Sequence, residues 1–407
     1  MPERQFPPVE EQMELLRRGA VDLVDEAQLR AKLERSRRTD KPLLVKTGFD
    51  PSSPDLHLGH TVLIRKMRHF QQLGHTVVFL IGGFTARIGD PTGKKATRPQ
   101  LTPEEVEANA RTYQKQVFHI LDEAATVVDN NDRWLGQLGS HGMVRLAGRY
   151  TLARMMERED FRTRFAEGKP IHLHELLYPL AQAYDSVVLK ADVELGGHDQ
   201  IFNLLVGRDL MKEDGLEPQV VLTVPLLVGT DGADKMSKSL GNAIAVEDPP
   251  REIYGKTMSI PEALMWDWYL LLTEVPRAEI EARRARVEAG GLHPKGVKQE
   301  LARRLVSELH GEEAARQAEE EFEKIFAGGG VPDEVPEHEL AGSWALPKLL
   351  AAAGLAPSNA EARRLIQQGA VSLDGERADD PSREIPPRPE PYLFKVGKRR
   401  FARIRLS

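Results

Sequence analysis

Two short stretches of the 407-residue chain carry residue types suited to handling phosphate. His57-Leu-Gly-His60 follows a β-branched run and an Asp50-Pro51 turn, and it opens a pattern of helical spacing. A strand-to-helix turn aims backbone N–H groups and the positive end of a helix dipole at an anion. Gly59 lets the backbone approach a flat ligand, and the two imidazoles add donors for phosphate or ribose oxygens. Alone, the tetrapeptide fits an ordinary capped surface helix equally well. Lys235-Met-Ser-Lys-Ser239 begins 178 residues after His57, beyond the apolar run at 225–229 and before Gly241. Two lysines three apart, among small hydroxyl residues and glycines, suit a mobile clamp for the charge that builds on a leaving pyrophosphate. Alone, this pentapeptide reads as a solvated turn. The two together, in this order within alternating strand and helix, read as a nucleotide site.

A third group is Tyr178, Gln182 and Asp185, spaced four and three apart. On a helix they share one face, so a phenol, an amide and a carboxylate converge. The same spacing also describes any polar helix face.

The elements that must position these residues follow from periodicity. Strand-like runs at 43–47, 76–81, 126–129 and 220–228 alternate with helical patterns at 63–73 and 103–122. Such alternation predicts a Rossmann-like doubly wound parallel sheet over about 41–244, with a helical insertion at about 134–180. Residues 1–40 read as an amphipathic helical lead-in, and about 245–330 as all helix, with runs at 261–272, 298–309 and 312–326. The Gly- and Pro-rich stretch 328–336 reads as a linker, and 342–407 as a small α+β unit with a basic tail. With no cysteine, disulfide and thiol chemistry are excluded. No signal-peptide pattern opens the chain, and its longest apolar runs are near strand length, so a cytoplasmic protein that does not span a membrane is expected. A net charge of −6 means that any nucleic acid must be met by local basic patches.

The paired motifs resemble the two signatures of class I aminoacyl-tRNA synthetases. Gly48-Phe-Asp-Pro-Ser-Ser-Pro-Asp-Leu-His-Leu-Gly-His60, Ile88-Gly-Asp-Pro-Thr-Gly-Lys94 and Leu195-Gly-Gly-His-Asp-Gln200 are similar to bacterial tyrosyl-tRNA synthetases, and the likeness runs over nearly the whole chain. The resemblance implies a two-step reaction. Tyrosine attacks ATP to give tyrosyl-adenylate and pyrophosphate, and a terminal ribose hydroxyl of tRNA(Tyr) then takes the tyrosyl group. It implies that His57 and His60 contact ATP phosphate and ribose, with Gly59, Gly197 and Asp199 also in the nucleotide site and Asp199 on the ribose. Asp50 and Gln200 would lie beside the reacting carboxylate and phosphate. Lys235, Lys238, Lys94 and Arg98 would meet the outgoing pyrophosphate. Asp90, Tyr178 and Gln182 would hold the substrate ammonium, and Asp185 would accept a hydrogen bond from its phenol. A site built to bond a hydroxyl rejects the analogue that lacks it, so phenylalanine is refused without an editing domain. ATP brings magnesium with it, and no prosthetic group or dedicated metal site is expected.

The chain departs from that pattern at Lys46, where a second phenol-reading Tyr is often found, and at Glu194, where a Gln is usual. Both sit on strand candidates flanking the pocket, and a buried Lys or Glu without a partner is unfavourable, so the two are expected to pair. The resemblance further implies an anticodon-recognition role for the helical region, which carries Arg283, Arg284, Arg286, Lys295, Lys298, Arg303 and Arg304. Residues 358–375 resemble the ribosomal-protein S4-like RNA-binding module. In it Glu361, Arg363 and Arg364 occupy a helix that Gly369 ends, before a strand at 371–373. The tail 395–405 has six basic residues in eleven and suits phosphate, although such runs often form solvated edge strands. A homodimer is implied, paired through the insertion, with Leu135, Leu146, Leu152, Met155 and Met156 as its apolar core. The rival readings are a tryptophanyl enzyme, a small-molecule nucleotidyltransferase, and an inactive paralogue that only binds RNA.

Overall fold

A β-branched run after a capped helix favours a strand, and six such strands build the sheet of the first unit. The computed structural model describes residues 6–92, 101–327, 335–397 and 400–407. It divides into two units, Met1–Ala315 and Arg316–Ser407. The lead-in supplies α1 (Val9–Arg17), β1 (Leu23–Val24) and α2 (Glu26–Thr39). Then come β2 (Leu44–Phe49), α3 (Leu58–Gln72), β3 (Thr76–Ile81), α4 (Thr85–Ile88), α5 (Pro103–Val117) and β4 (Thr126–Asn130). Four short helices follow, α6 (Asp132–Leu135), α7 (Gly139–Ala147), α8 (Leu152–Met155) and α9 (Glu159–Ala166). The second half of the sheet comes from α10 (Tyr178–Leu189), β5 (Val193–Gly197), α11 (Ile201–Glu213) and β6 (Val220–Val224).

The strand order is β1-β6-β5-β2-β3-β4, all parallel except β1, which adds antiparallel to β6. Strand β1 was not expected, because two residues inside a helical lead-in carry no periodic signal. The expected strand at 220–228 stops at Val224, since Pro225 has no N–H to give a ladder. The chain order reverses between β2 and β5. In such sheets ligands bind outside the carboxyl ends of the strands at this switch point. Asp50 follows β2 and Asp199 follows β5, so both carboxylates flank that crevice.

The expected apolar face of the insertion is corrected. Leu135, Leu146 and Met155 are buried within the chain's own core, and Met156 packs against it. Leucines at helical spacing turned inward, and the exposed apolar residues of this region are Val144, Leu152, Phe165 and Leu173.

Helices α12 (Pro250–Ser259), α13 (Glu262–Leu272), α14 (Arg277–Glu288) and α15 (Pro294–His310) complete the first unit, and α16 (Glu312–Ala327) begins there. Several of the basic residues singled out here are already engaged. Arg283 pairs with Glu279 and Glu300, Arg284 with Glu288, Arg304 with Glu300, and Lys298 donates to the Ile260 carbonyl.

The second unit contains β7 (Glu337–Leu340), β8 (Trp344–Ala345), α17 (Leu346–Ala352), α18 (Asn359–Gln367), β9 (Val371–Leu373), β10 (Glu376–Arg377), β11 (Glu384–Ile385), β12 (Tyr392–Val396) and β13 (Arg400–Leu406). Ser358 caps α18, and the Asp374-Gly375 turn, with both φ positive, joins β9 to β10. The basic tail forms no edge: β13 lies between β12 and β7. Lys398 and Arg399, and linker residues 328–334, lie outside the described residues.

Candidate active site

His57 is the N-cap of α3, and the two histidines cap each other's turn. His57 Nδ1 accepts from the Gly59 N–H at 3.1 Å, and His60 Nδ1 accepts from the His57 N–H at 3.1 Å. The ring centroids are 3.9 Å apart. With both Nδ1 atoms accepting, each neutral ring carries its proton on Nε2, which leaves two fixed donors. Burial, followed by the ammonium of Lys238, lowers His57 to about 4. Burial lowers His60 well below the ordinary histidine value, helped by His57. Near neutral pH these side chains therefore donate hydrogen bonds and hold no charge. A methyl at Gly59 would sit 2.8 Å from the His57 ring and 3.5 Å from Met236 Cβ, so the glycine lets the two motifs touch.

That contact is reinforced by the backbone. The Leu58 N–H donates to the Ile244 carbonyl and the Val246 N–H to the Leu56 carbonyl, each at 2.9 Å. The lysine loop is pinned at its middle, where Met236 is buried and its N–H donates to the Leu227 carbonyl at 2.7 Å. Asn242 ties the Ser237 N–H to Asp231 at 2.8 and 2.7 Å. The half-exposed Lys235 has Nζ 3.8 Å from Asp199 Oδ2, and Lys238 Nζ lies 3.5 Å from Asp55 Oδ2. Burial raises the Asp199 carboxyl, and Lys235 opposes that shift. A methyl at Gly197 would meet Asp199 Oδ1 at 2.6 Å, so only glycine leaves this carboxylate where it is.

Helix α10 lines the crevice from the side. Tyr178 donates from its hydroxyl to Asp50 Oδ2 at 2.8 Å, and Thr85 donates to Asp50 Oδ1 at 2.7 Å. Asp90 Oδ2 accepts from Gln200 Nε2 at 2.8 Å. Asn203 Nδ2 donates to both Gln200 Oε1 and Gln182 Oε1, at 2.9 and 3.1 Å. Asp50, Asp90, Tyr178, Gln182 and Gln200 thus belong to two small networks at the crevice. Asp185 joins the first of them through Asn131, whose Nδ2 donates to Thr85 Oγ1 at 3.1 Å as well as to Asp185. The Asp185 Oδ1 accepts from Trp134 Nε1 at 2.8 Å and its Oδ2 from Asn131 Nδ2 at 3.1 Å, deeper in the protein. Of the three α10 residues, Tyr178 and Asp185 are therefore linked through Asp50, Thr85 and Asn131, while Gln182 belongs with Asn203 and Gln200. Burial pushes the Asp185 carboxyl up to about 6.

Sequence reasoning missed several partners. Arg158 is buried, pairs with Asp160 at 2.8 Å, lies 3.7 Å from Asp90 and donates to Asn203 Oδ1 at 3.3 Å. In the run Glu157-Arg-Glu-Asp160 it looks like one more solvated charge. Asn131, Trp134, Thr85 and Asn203 are equally unmarked, because only tertiary convergence gives them a role. Lys94 and Arg98 lie outside the described residues.

Residues 38–327 match the family model of tRNA synthetases class I (W and Y), and residues 346–388 match the S4 domain. The chain belongs to this class I tRNA synthetase family. It is 55% identical over 402 residues to a tyrosine–tRNA ligase of Desulfotalea psychrophila, covering 98% of this chain and 99% of that one. It is 53% identical over 392 residues to the tyrosine–tRNA ligase of Haemophilus influenzae, covering 96% of each. The tyrosyl-tRNA synthetase of Archaeoglobus fulgidus, solved with L-tyrosine, superposes with a TM-score of 0.63 at 27% identity, over 77% of this chain and all of that one.

Proposed function

We infer that the chain is a tyrosine-activating enzyme, joining L-tyrosine to tRNA(Tyr) through a tyrosyl-adenylate. The observation that carries this reading is the backbone join between the His57–His60 turn and the segment after the lysine loop, beside a helix α10 that carries Tyr178, Gln182 and Asp185. A tyrosine carboxylate lying beside Asp50 and Gln200 attacks the α-phosphorus of ATP in line. The step needs alignment and charge neutralisation more than proton transfer. His57 and His60 suit it as neutral donors. Lys235 and Lys238, paired only loosely with Asp199 and Asp55, are free to exchange those carboxylates for the departing pyrophosphate. Asp90, Tyr178 and Gln182 receive the substrate ammonium, and Asp185 accepts from the phenol. Magnesium would accompany ATP and help to neutralise its charge.

We assign RNA contact to the α12–α15 region and to the terminal unit, where the S4 match lies. We also assign a homodimer built on Val144, Leu152, Phe165 and Leu173, since side chains 73% and 82% exposed at Phe165 and Leu173 favour a partner over water. Among the described residues no helix is long and apolar enough to cross a membrane. The cytoplasm, where tRNA is charged, is the expected compartment. The test is ATP–pyrophosphate exchange with tyrosine, tryptophan and phenylalanine offered separately. Exchange driven by tryptophan and not by tyrosine would overturn the reading. Removing residues 342–407 should spare exchange and abolish most tRNA charging, and equal loss of both would show that the module is structural.

A further inference from the structure

Helix α10 lies over a buried ion pair that the reaction above leaves unused. Lys46 on β2 and Glu194 on β5 are register partners in neighbouring parallel strands, so their side chains leave the sheet on one face. Lys46 Nζ is 2.7 Å from Glu194 Oε1, with the two side chains 0% and 1% exposed. The same ammonium donates to Ser186 Oγ at 3.0 Å and to the Gln182 carbonyl at 3.3 Å. Glu194 Oε2 accepts from Ser186 Oγ at 2.7 Å and from Gln219 Nε2 at 2.8 Å. The three protons of the ammonium and both oxygens of the carboxylate are therefore matched. A buried pair of this kind adds little net stability over an apolar pair of similar volume. Its field, in a medium without water, acts strongly on neighbouring charges.

The neighbour in question is Asp185. Gln182 and Ser186, the two α10 residues bonded by Lys46, bracket it in the helix. Its carboxylate is 3% exposed and receives only neutral donors, Trp134 and Asn131. Burial raises its proton affinity, Lys46 is the strongest influence in the opposite direction, and Glu194 raises it further. Among the other charges on elements packed around α10, Glu175 pairs with Arg164, Asp209 with Arg154 and Glu213 with Arg149. Arg87 of α4 pairs with Asp132, Arg158 with Asp160, and Arg208 of α11 with the Gln219 carbonyl.

We propose that Lys46 is a specificity-determining residue that acts through Asp185: held under α10 by Glu194 and Ser186, its ammonium keeps Asp185 in the ionised, accepting form that selects a phenol over a phenyl ring. This rests on Asp185 as the reader of the substrate hydroxyl. Lys46 itself points at the helix and not at the substrate, so its role is positional and electrical.

The experiment measures kcat/KM for tyrosine in pyrophosphate exchange from pH 5 to 9, for the unaltered protein, Lys46→Met, Glu194→Gln and the double variant, with phenylalanine as the competing substrate. The acid limb of such a profile reports a group of the free enzyme. Removing an opposite charge within a few ångströms moves a carboxylate by about 1–2 pH units. Lys46→Met should therefore raise the limb, giving a roughly two- to ten-fold loss at pH 7 that alkaline pH restores. Glu194→Gln should move the limb the other way, and the double variant should lie between Lys46→Met and the unaltered protein. A structural role would lower activity in both single variants without opposite shifts, and that result overturns the proposal. If Lys46→Met does not fold, an unmoved limb in Glu194→Gln and the double variant overturns it equally. Asp185→Asn separates the two levels of the argument. Loss of tyrosine preference there with unmoved limbs defeats only the role of Lys46. Retained preference defeats the reading of Asp185 itself, and the proposal with it.

Discussion

Replacing Arg158 with Met removes one positive charge and keeps most of the side-chain volume. The guanidinium pairs with Asp160, whose second oxygen, Oδ2, is buried without a hydrogen-bond partner. Breaking a buried pair from one side leaves the other charge uncompensated, at a cost of about 3–5 kcal/mol. Asp160 keeps some exposure and can take up a proton, so about 3 kcal/mol is expected. The pH dependence follows from that proton. Burial already raises the Asp160 carboxyl, and Arg158 is the strongest influence holding it down. Without Arg158 the folded-state value rises further above the unfolded one, so the native state binds the proton first as pH falls. The difference in stability between variant and unaltered protein should thus shrink from pH 7.5 to pH 5 in urea denaturation. Arg158 also bonds Asn203, which holds Gln182 and Gln200. A hydrogen bond to a charged group is worth about 1.5–3 kcal/mol, so tyrosine KM should rise at least about ten-fold. A stability loss below about 1 kcal/mol, constant with pH, together with an unchanged KM would refute the account of Arg158 as organiser of this wall.

Lys235→Ala and Lys238→Ala should each slow adenylate formation by roughly a hundred-fold in single-turnover measurements while leaving tyrosine affinity nearly intact, and a parallel loss of affinity would remove the loop from the chemistry. Gly59→Ala places a methyl 2.8 Å from the His57 ring, so ATP KM should rise at unchanged tyrosine binding, and wild-type ATP kinetics would show that the ring has room to move. Phe165→Glu with Leu173→Glu should give a monomer by light scattering at micromolar protein, whereas a persisting dimer would place the interface elsewhere.

The sheet was legible because parallel strands buried on both faces are nearly continuous apolar runs, as at Thr76–Ile81. The ends of elements were less so: α3 begins at Leu58, because a histidine can cap a helix as a serine does, and α5 stops at Val117, short of 122. Tyr178, Gln182 and Asp185 were visible as a spacing, but spacing on a helix says nothing of what the neighbouring chain brings to each residue. Trp134 and Asn131 bring donors to Asp185, and Asn131 also reaches Thr85 and so ties Asp185 to Asp50 and Tyr178, whereas Gln182 is held by Asn203. The leucines and methionines of the insertion misled for a related reason. An apolar residue at helical period faces a core, and nothing in one chain's sequence tells its own core from a partner's. Lys46 and Glu194 could be paired in advance because charge on a buried strand demands an answering charge.

The lysine loop is fastened at Met236, between Lys235 and Lys238, and not merely at its two ends. A loop held at its centre behaves as a rocker with two short arms. Each ammonium can swing over the length of its own side chain, but the backbone between them is tied to the Leu227 carbonyl through the Met236 N–H. The entropy lost when pyrophosphate is gripped is then that of two side chains and not of a whole flap, and the grip is released as readily as it forms. Extra residues inserted beyond the fastening would lengthen the connection without lengthening either arm, so the reach of the two cations is set by where the buried Met236 is held.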